Sequence, residues 1–206
     1  MRKWNFSPGP ATIPEDVLLE VQSELLEFNN SGISIMEMSH RTELYSSIAF
    51  EAKKDFIEIL NIPDNYEVLF LQGGATHQFS MIPMNFSHLK GKPAYITTGT
   101  WTKRAFEEGS KITEIDQIFS SENENFIYAP HFKDLKIPED ASYVHYCPNE
   151  TIHGVAFDHI PTINNPLVAD MSSSILSEPI DVNKFSLIYA SAKKNIGPSG
   201  FTVVII

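Results

Sequence analysis

Hydrophobic residues recur at helical spacing in two segments in the first third of the chain. Residues 12–28 open with Thr-Ile-Pro-Glu, which has the spacing of a capping box, and residues 42–60 end before Asn-Ile-Pro. The apolar positions are Val17, Leu18, Val21, Leu25 and Phe28 in the first segment and Leu44, Ile48, Ala52, Phe56, Ile59 and Leu60 in the second. The spacing predicts two amphipathic helices, each covering a hydrophobic core.

Short apolar runs of strand length follow, several of them bounded by Gly, Pro or Asn. They occupy residues 68–71, 94–97, 143–147, 167–169, 187–190 and 201–206. Residues 75–86 and 101–111 have the composition of helices lying between them. Because strands alternate with helices, the pattern predicts an α/β domain with a mostly parallel sheet.

The last apolar run, residues 201–206, is predicted to be a buried strand. Natural chain ends usually lie at the surface. We therefore expect a truncated sequence, in which this strand exposes an apolar edge unless a partner covers it.

Composition and charge narrow the class of protein. The 206 residues are 42% hydrophobic and 20% charged, as in soluble globular domains. A formal net charge of -11 argues against a nucleic-acid or anionic-membrane partner. The single cysteine, Cys147, excludes an intrachain disulfide, and the first residues lack the apolar core of a signal peptide. These features predict a cytoplasmic protein.

A glycine pair separates the first predicted strand from the helix that follows it. After Gly73 and Gly74, the free backbone N–H groups and the dipole of that helix suit a phosphate at Ala75 and Thr76. A tight turn that needs glycine for its backbone angles is the alternative. The full dinucleotide-binding and P-loop patterns are missing, so neither of those sites is supported.

Charged residues follow two other predicted strands. Asp170 comes directly after residues 167–169, and Lys193 and Lys194 come shortly after residues 187–190. Ligands of parallel sheets bind outside the carboxyl ends of the strands. There, a desolvated lysine is a nucleophile for carbonyl carbons. The alternatives are a carboxylate that caps the Ser-rich turn after it and two solvated surface lysines.

A phosphate cradle, a carboxylate and a lysine at neighbouring strand ends are the fixtures that pyridoxal phosphate needs. Trp101, at the start of a predicted helix, would add a platform for the pyridine ring, although ordinary core packing would also explain it. The joint pattern predicts a pyridoxal-phosphate site.

Four separated motifs resemble those of the phosphoserine aminotransferases, pyridoxal-phosphate enzymes of the class V aminotransferases. The motifs are residues 5–10 (NFSPGP), 35–41 (IMEMSHR), 145–151 (HYCPNET) and 191–198 (SAKKNIGP). The resemblance implies a fold type I large domain with a mostly parallel, seven-stranded sheet flanked by helices. It also implies that residues 1–206 are this cofactor-binding domain in incomplete form, without its C-terminal part and the small C-terminal domain.

By this resemblance, Lys194 would hold the cofactor as a Schiff base and then move the proton during transfer. Asp170 would pair with the pyridine nitrogen, Thr151 would hydrogen-bond the ring oxygen, and Trp101 would stack on the ring. Lys194 and Asp170 are thus the expected catalytic residues.

The remaining roles concern anions. The segment of Ala75 and Thr76 would hold the cofactor phosphate, with Lys193 beside it, and His40 and Arg41 would bind the acidic substrate. Two of these residues depart from the family pattern. Lys193 replaces the usual glutamine and would tend to lower the pKa of Lys194. Some relatives carry an arginine for the substrate phosphate at position 76.

The implied reaction transfers the amino group of glutamate to 3-phosphohydroxypyruvate, giving O-phosphoserine and 2-oxoglutarate in serine biosynthesis. The resemblance leaves open whether the enzyme also uses a related phosphorylated acceptor that leads to 4-phosphohydroxythreonine in vitamin B6 synthesis. A homodimer is also implied. The alternatives are another class V enzyme, such as an alanine-glyoxylate aminotransferase or a cysteine desulfurase, and a non-catalytic fragment that binds the cofactor or a partner polypeptide.

Overall fold

The computed structural model describes residues 2–86 and 88–206. Within them lie four α-helices, nine β-strands and short 3-10 turns. The helices are α1 (Glu15–Glu24), α2 (Glu43–Leu60), α3 (Gly74–Phe86) and α4 (Thr100–Gly109). The strands are β1 (Val68–Leu71), β2 (Ala94–Thr97), β3 (Asp116–Ser120), β4 (Val144–Tyr146), β5 (Asn149–Glu150), β6 (Val155–Ala156), β7 (Leu167–Asp170), β8 (Leu187–Ser191) and β9 (Thr202–Ile205).

Seven of the described strands form one sheet in the order β1-β9-β8-β7-β4-β2-β3. Strand β9 pairs antiparallel with both neighbours, and the other described pairs in this sheet are parallel. Six carboxyl ends therefore meet at one edge of the sheet, where parallel sheets bind their ligands. The predicted seven-stranded, mostly parallel α/β fold is confirmed.

The strands carry apolar residues on both faces of the sheet, and helices cover both faces. On one face, α3 and α4 contribute Phe79, Ile82 and Ala105 to a core that includes buried tyrosines of the sheet. On the other face, Leu60 of α2 packs among the buried aliphatic residues of the strands. Thr42 caps α2 with its side chain. Ile59, one of the apolar positions predicted to cover the core, is exposed.

The expectation of an exposed strand edge at residues 201–206 is wrong. Strand β9 lies between β1 and β8, so both of its edges are paired, and its four residues are all buried. The burial itself was predicted correctly. An apolar run indicates that a strand is buried, but it does not show which strands pair with it.

The first predicted helix differs most from expectation. Helix α1 ends at Glu24 rather than near Phe28, and the capping box is wrong, because Pro14 is the N-cap and no side chain caps the helix. The Thr12 hydroxyl instead donates to the carbonyl of Asn5, 2.6 Å away. All ten residues of α1 are described and none is buried, so the helix does not cover the core.

Two features escaped the sequence pattern. Strand β3 is an edge strand of mixed polarity, Asp-Gln-Ile-Phe-Ser, and it lacks the apolar run that marks the other strands. The hairpin of β5 and β6 has strands of two residues each, which are too short to show periodicity. Among the described residues, every helix is too short or too polar to cross a membrane.

Candidate active site

A cleft opens at the edge of the sheet where the parallel strands end. Its empty volume is about 350 Å³. The lining residues come from the segments that follow β1, β2, β4, β7 and β8, and they are Ala75, Thr76, Trp101, Cys147, Asn149, Thr151, Asp170, Ser172, Ser173, Lys193 and Lys194. The seven residues predicted from the sequence to bind the cofactor are all in this lining.

The N-terminus of α3 forms one corner of the cleft. Gly73 and Gly74 both have positive φ, at 94° and 65°, so the turn from β1 to α3 uses backbone angles that glycine adopts without strain. A Cβ atom on Gly73 would lie 1.8 Å from Nδ1 of His77, which fixes glycine at that position. Ala75 and Thr76 lie in the first turn of α3 and line the cleft. The first N–H groups of a helix have no partner within the helix, so they are available to a ligand there.

Asp170 is the last residue of β7 and is only 4% exposed. Burial raises the pKa of its carboxyl, while hydrogen bonds from Ser172 lower it. The backbone N–H of Ser172 donates to Oδ1 of Asp170 over 3.0 Å. The carboxylate is therefore anchored by the turn that follows it while it lines the cleft.

Lys194 reaches across the cleft to the residue after β5, and its Nζ donates to Oγ1 of Thr151. Burial lowers the pKa of the Lys194 ammonium, and the like charge of Lys193 lowers it further. The carboxylates of Asp170 and Glu150 act in the opposite direction. The net shift is downward, so Lys194 gives up its proton more readily than an exposed lysine.

Trp101 closes another side of the cleft, one residue into α4. Three cations surround its ring: Nζ of Lys193 at 5.4 Å from the ring centre, Nζ of Lys194 at 5.9 Å and Cζ of Arg104 at 5.7 Å. This concentration of positive charge stands out in a chain of net charge -11. It makes the cleft suited to an anionic ligand with an aromatic ring.

Glu150 holds Trp101 in place, and sequence reasoning did not single it out. The carboxylate is fully buried and accepts from the backbone N–H of Trp101 (3.1 Å) and of Thr102 (2.8 Å), and from the Thr102 hydroxyl (2.7 Å). It thus caps the N-terminus of α4 from another element. Gly99 makes room for it, since a Cβ there would lie 2.4 Å from Cδ of Glu150.

The N-terminal motif at residues 5–10 also reaches the cleft. A Cβ atom on Gly9 would lie 3.3 Å from Cγ of Lys194, and the N–H of Ala11 donates to the carbonyl of Lys193 over 2.8 Å. Gly9 has a φ of 135°, which side chains rarely adopt. The motif therefore packs against the two lysines. The sequence did not predict this contact, because the motif and the lysines lie far apart in the chain.

His40 and Arg41 lie elsewhere. They occupy the turn before α2, both are exposed, and neither is in the lining of the cleft. Four lining residues were not predicted: Cys147, Asn149, Ser172 and Ser173. Cys147 and Asn149 lie in the 145–151 motif, and Ser172 and Ser173 lie in the Ser-rich turn after Asp170. Their closeness in sequence to predicted site residues is the feature that could have identified them.

A larger opening, of about 1,100 Å³, lies at the opposite edge of the sheet. Loop residues such as Asn65, Thr162, Asn164 and Asn183 line it, together with Lys184. This lining holds no carboxylate, so it lacks the pairing of amine and buried acid that marks the smaller cleft. Chemistry, rather than size, identifies the candidate site.

The aminotransferase class-V family model matches residues 3–206. The chain belongs to the class-V aminotransferase family. The class-V match spans the sheet, α1 to α4 and every lining residue of the cleft.

Relatives within the class-V family are similar over the whole chain. A phosphoserine aminotransferase of Bacillus cereus is 52% identical over 206 residues, covering 100% of this chain and 57% of the relative. The structure of phosphoserine aminotransferase from Bacillus circulans subsp. alkalophilus superimposes with a TM-score of 0.95 at 44% identity, covering 100% of this chain and 57% of that one.

The PLP-bound phosphoserine aminotransferase from Trichomonas vaginalis is also similar, with a TM-score of 0.93 at 39% identity. The match covers 100% of this class-V chain and 58% of that structure. The chain therefore spans a little under three fifths of the length of its relatives.

Proposed function

We propose that residues 1–206 form the cofactor-binding large domain, in incomplete form, of a pyridoxal-phosphate-dependent phosphoserine aminotransferase. The reaction is amino transfer from glutamate to 3-phosphohydroxypyruvate, giving O-phosphoserine and 2-oxoglutarate in serine biosynthesis. One observation carries the proposal: a half-buried lysine, a buried carboxylate, an aromatic ring and a helix N-terminus line one cleft. Relatives of that name at about 50% identity support it.

The residues present fit pyridoxal phosphate. The first turn of α3 and the ammonium of Lys193 suit its phosphate, and Asp170 suits a protonated pyridine nitrogen. Trp101 suits the ring, and its buried Nε1 has no hydrogen-bond partner among the described residues, as expected where a ligand completes a site. When bound, the cofactor supplies an electron sink for the carbanion formed at the substrate Cα.

Lys194 is the proposed amine for the cofactor aldehyde. Its lowered pKa leaves more of it as the free amine at neutral pH, and only that form is nucleophilic. Its Nζ, held by Oγ1 of Thr151, is also the proposed base that takes and returns the substrate proton. Thr151 would exchange this contact for one to the cofactor ring oxygen.

Asp170 is proposed to remain ionised, with its charge facing the ring nitrogen. Burial alone would favour the neutral acid, but the Ser172 hydrogen bonds and the nearby ammonium of Lys194 favour the carboxylate. A cationic pyridine nitrogen would add a further opposite charge. The arrangement would therefore keep the pyridine nitrogen protonated, the state in which the ring accepts electrons.

His40 and Arg41 are proposed to bind the acidic substrate. Both side chains are exposed, and the guanidinium of Arg41 suits a carboxylate or phosphate. We also propose a cytoplasmic location and a homodimer. The exposed apolar residues of the N-terminal segment, Trp4, Phe6, Leu19, Leu26 and Met36 among them, support the homodimer, since an interface would cover them.

The test of cofactor binding is to incubate the chain with pyridoxal phosphate, reduce it with borohydride and map the adduct by peptide mass spectrometry. We expect one adduct per chain, on Lys194. Lys194→Ala should abolish it. Lys193→Ala, the matched variant of the neighbouring amine, should keep the adduct on Lys194.

Scattered labelling, or labelling mainly of Lys193, would contradict the proposal. Substrate choice is tested separately by following loss of the amino-donor signal with phosphorylated and non-phosphorylated 2-oxo acids. Preference for a non-phosphorylated acceptor would favour another class-V aminotransferase.

A further inference from the structure

A separate cavity, with an empty volume of about 420 Å³, lies on the face of the sheet that α2 covers. Tyr146, the last residue of β4, and Met171, the residue after β7, line it from the sheet. Both side chains belong to the same core cluster as Leu60 of α2. In the described part of the chain, no residue lines both this cavity and the active-site cleft. The proposed function assigns the cavity no role.

Two buried hydroxyl groups in the lining, Oη of Tyr146 and Oγ of Ser174, have no hydrogen-bond partner among the described residues. Tyr146 is fully buried, and burial raises the pKa of its hydroxyl, so this group keeps its proton and can both donate and accept. A buried polar group without a partner costs free energy. A molecule in the cavity would supply the missing bonds to both hydroxyls.

Aromatic packing keeps the Tyr146 hydroxyl beside the cavity. The ring of Phe132 packs on the Tyr146 ring with centroids 5.4 Å apart and planes at 89°, and the ring of Phe157 does so at 5.3 Å and 84°. Strand β4 is paired on both sides, with β2 and β7, which holds the backbone as well. The hydroxyl therefore stays beside the cavity and does not turn to a partner elsewhere.

The rim of the cavity is acidic. Asp158 and Glu178 line it and are exposed, and the hydrogen bond with His159 lowers the pKa of the Asp158 carboxyl, so that group stays ionised. Glu178 has no ion pair within the described residues, so the rim remains negative even when His159 is protonated. No lysine or arginine occurs among the described lining residues. The rim therefore disfavours an anionic ligand.

The other lining residues are apolar and include Phe157, Ile160, Met171 and Ile180. A ligand that matches all parts of the lining has a neutral hydrogen-bonding group, a short hydrocarbon segment and a positive charge. The charge belongs at the exposed rim, because a buried ammonium group would lose its hydration. A neutral hydroxyl group costs much less to bury, and the two protein hydroxyls offset that cost.

We propose that this cavity binds a short hydroxyalkylammonium ion, whose hydroxyl group bonds Tyr146 and Ser174 and whose ammonium group lies at the rim with Asp158 and Glu178. A single ligand hydroxyl donates one hydrogen bond and accepts another, so it can partner both protein hydroxyls at once. The inference concerns a second site and does not depend on pyridoxal phosphate.

Ethanolamine, which is protonated at neutral pH, is the probe. Ethylamine lacks its hydroxyl, and glycolate keeps a hydroxyl but carries a negative charge, so these two molecules are matched controls at constant ionic strength. Each is titrated into the chain labelled at its methionine methyl groups. The NMR signal of the Met171 methyl, assigned with Met171→Leu, reports on the cavity because Met171 lines it.

We expect ethanolamine to shift the Met171 signal with a dissociation constant on the order of 1 mM, as is usual for so small a ligand. Ethylamine should bind about fivefold more weakly, because it leaves both protein hydroxyls without a partner. Glycolate should leave the signal in place, because the acidic rim repels it. No shift with ethanolamine would mean that water alone fills the cavity, and equal binding of glycolate would mean that the rim does not select charge. Either result overturns the inference.

Tyr146→Phe tests the buried hydroxyl, because it keeps the ring. It should weaken ethanolamine binding about fivefold and change ethylamine binding by less than about twofold. Tyr143→Phe is the matched control, since its hydroxyl is buried in the cluster on the α3 and α4 face and lies 3.1 Å from that of Tyr95. It should keep the affinity of the unmodified chain. Equal affinities for ethanolamine in the two variants would overturn the inference.

Glu178→Gln tests the rim, because it removes the charge and keeps the shape. We expect it to weaken ethanolamine binding about threefold, as for an exposed ion pair. Glu124→Gln removes an exposed carboxylate outside the lining and should have no effect. The same affinity in both glutamine variants would show that the ammonium group is not held at the rim, which also overturns the inference.

Discussion

The cleft edge of the sheet and the N-terminal segment of residues 2–41 use their side chains in opposite ways. At the cleft edge, charged and polar groups such as Asp170, Glu150 and His145 are buried and hydrogen-bonded. In the N-terminal segment, apolar side chains face solvent, and Leu26 is 88% exposed. Apolar periodicity is present in α1 as well as in α2. The difference therefore shows that apolar side chains become buried only where the fold offers a surface to pack against.

The physical reason is that a helical pattern reports a face that can be buried, not what buries it. Helix α2 packs on the sheet, and Leu60 enters the core. Helix α1 meets no such surface in the described part of the chain, although its apolar residues have the same spacing. The proposed homodimer would supply the missing surface.

The largest difference in stability should separate one core residue from one α1 residue. Ile188, on β8, is 1% exposed, and Leu19, on α1, is 55% exposed. We expect Ile188→Ala to lower the free energy of unfolding by about 3 kcal/mol through lost burial and a residual cavity. At protein concentrations too low for the proposed dimer to form, Leu19→Ala should change it by less than about 0.5 kcal/mol. Urea denaturation of both variants measures the difference.

The proposed homodimer would cover α1, so Leu19→Ala should cost more where the dimer forms. In that case the loss should grow with protein concentration, because a partner subunit stabilises the folded state by mass action. Light scattering on the same samples would detect the dimer. A monomer at micromolar concentration would contradict the proposed homodimer.

Two carboxylates near helix N-termini give the next contrast. Glu150 accepts hydrogen bonds at the start of α4 and is buried, whereas Glu15, in the first turn of α1, pairs with Arg2 at 3.7 Å in an exposed position. Glu150→Ala should cost about 3 kcal/mol, because it leaves buried donors without an acceptor. Glu15→Ala should cost about 0.5 kcal/mol. Thermal unfolding of both variants checks this ranking.

The Glu150 variant also has an optical signature. Loss of the cap should free Trp101. In a Trp4→Phe background, which removes the exposed second tryptophan, the Trp101 fluorescence should therefore become more accessible to iodide than it is with Glu150 intact. Glu150→Gln keeps the shape and part of the acceptor capacity, and it should lie between the two. Unchanged quenching in Glu150→Ala would show that the helix holds Trp101 without the carboxylate.

Sequence reasoning predicted the sheet well where strands are apolar on both faces. Strand β2 matches the predicted residues, because an interior parallel strand has a continuous apolar run. Strand β1 lies at an edge of the sheet and also matches, because its four residues are all apolar. Strand β3, at the other edge, was missed because its residues, Asp-Gln-Ile-Phe-Ser, do not form an apolar run. The place of β9 between β1 and β8 depends on pairing across the sheet, which periodicity does not encode.

The site follows a similar division. Asp170 and the two lysines were predictable because they follow apolar runs, and parallel strand ends meet at one edge. The contacts of Glu150 with α4 and of Gly9 with Lys194 join segments far apart in the chain, so they required coordinates. The prediction of a capping box at Thr12 was wrong because Pro14 is the N-cap, and the Thr12 hydroxyl donates to the Asn5 carbonyl instead.

The burial of His145 should make the protein sensitive to acid. Its pKa is lowered from 6.5 to about 3 by burial, so below about pH 6.5 the unfolded chain binds a proton that the folded chain does not. The stability is therefore present above the unfolded pKa and falls as pH drops from 6.5 toward 3, by up to about 1.4 kcal/mol per pH unit. His145→Phe should flatten this slope in urea denaturation at several pH values. An equal slope in the variant would mean that other groups cause the acid sensitivity.

The smallest predicted effect compares two lysines, one from each region. Lys193 lowers the pKa of Lys194, whereas Lys3 is an exposed residue of the N-terminal segment. Lys193→Ala should raise the pKa of Lys194, so less free amine is present at pH 7, and adduct formation with pyridoxal phosphate should slow by about threefold. Its rate should rise again as the pH increases, because deprotonation of Lys194 restores the nucleophile. Lys3→Ala should leave the rate unchanged, and equal rates in the two variants at every pH would show that Lys193 does not tune its neighbour.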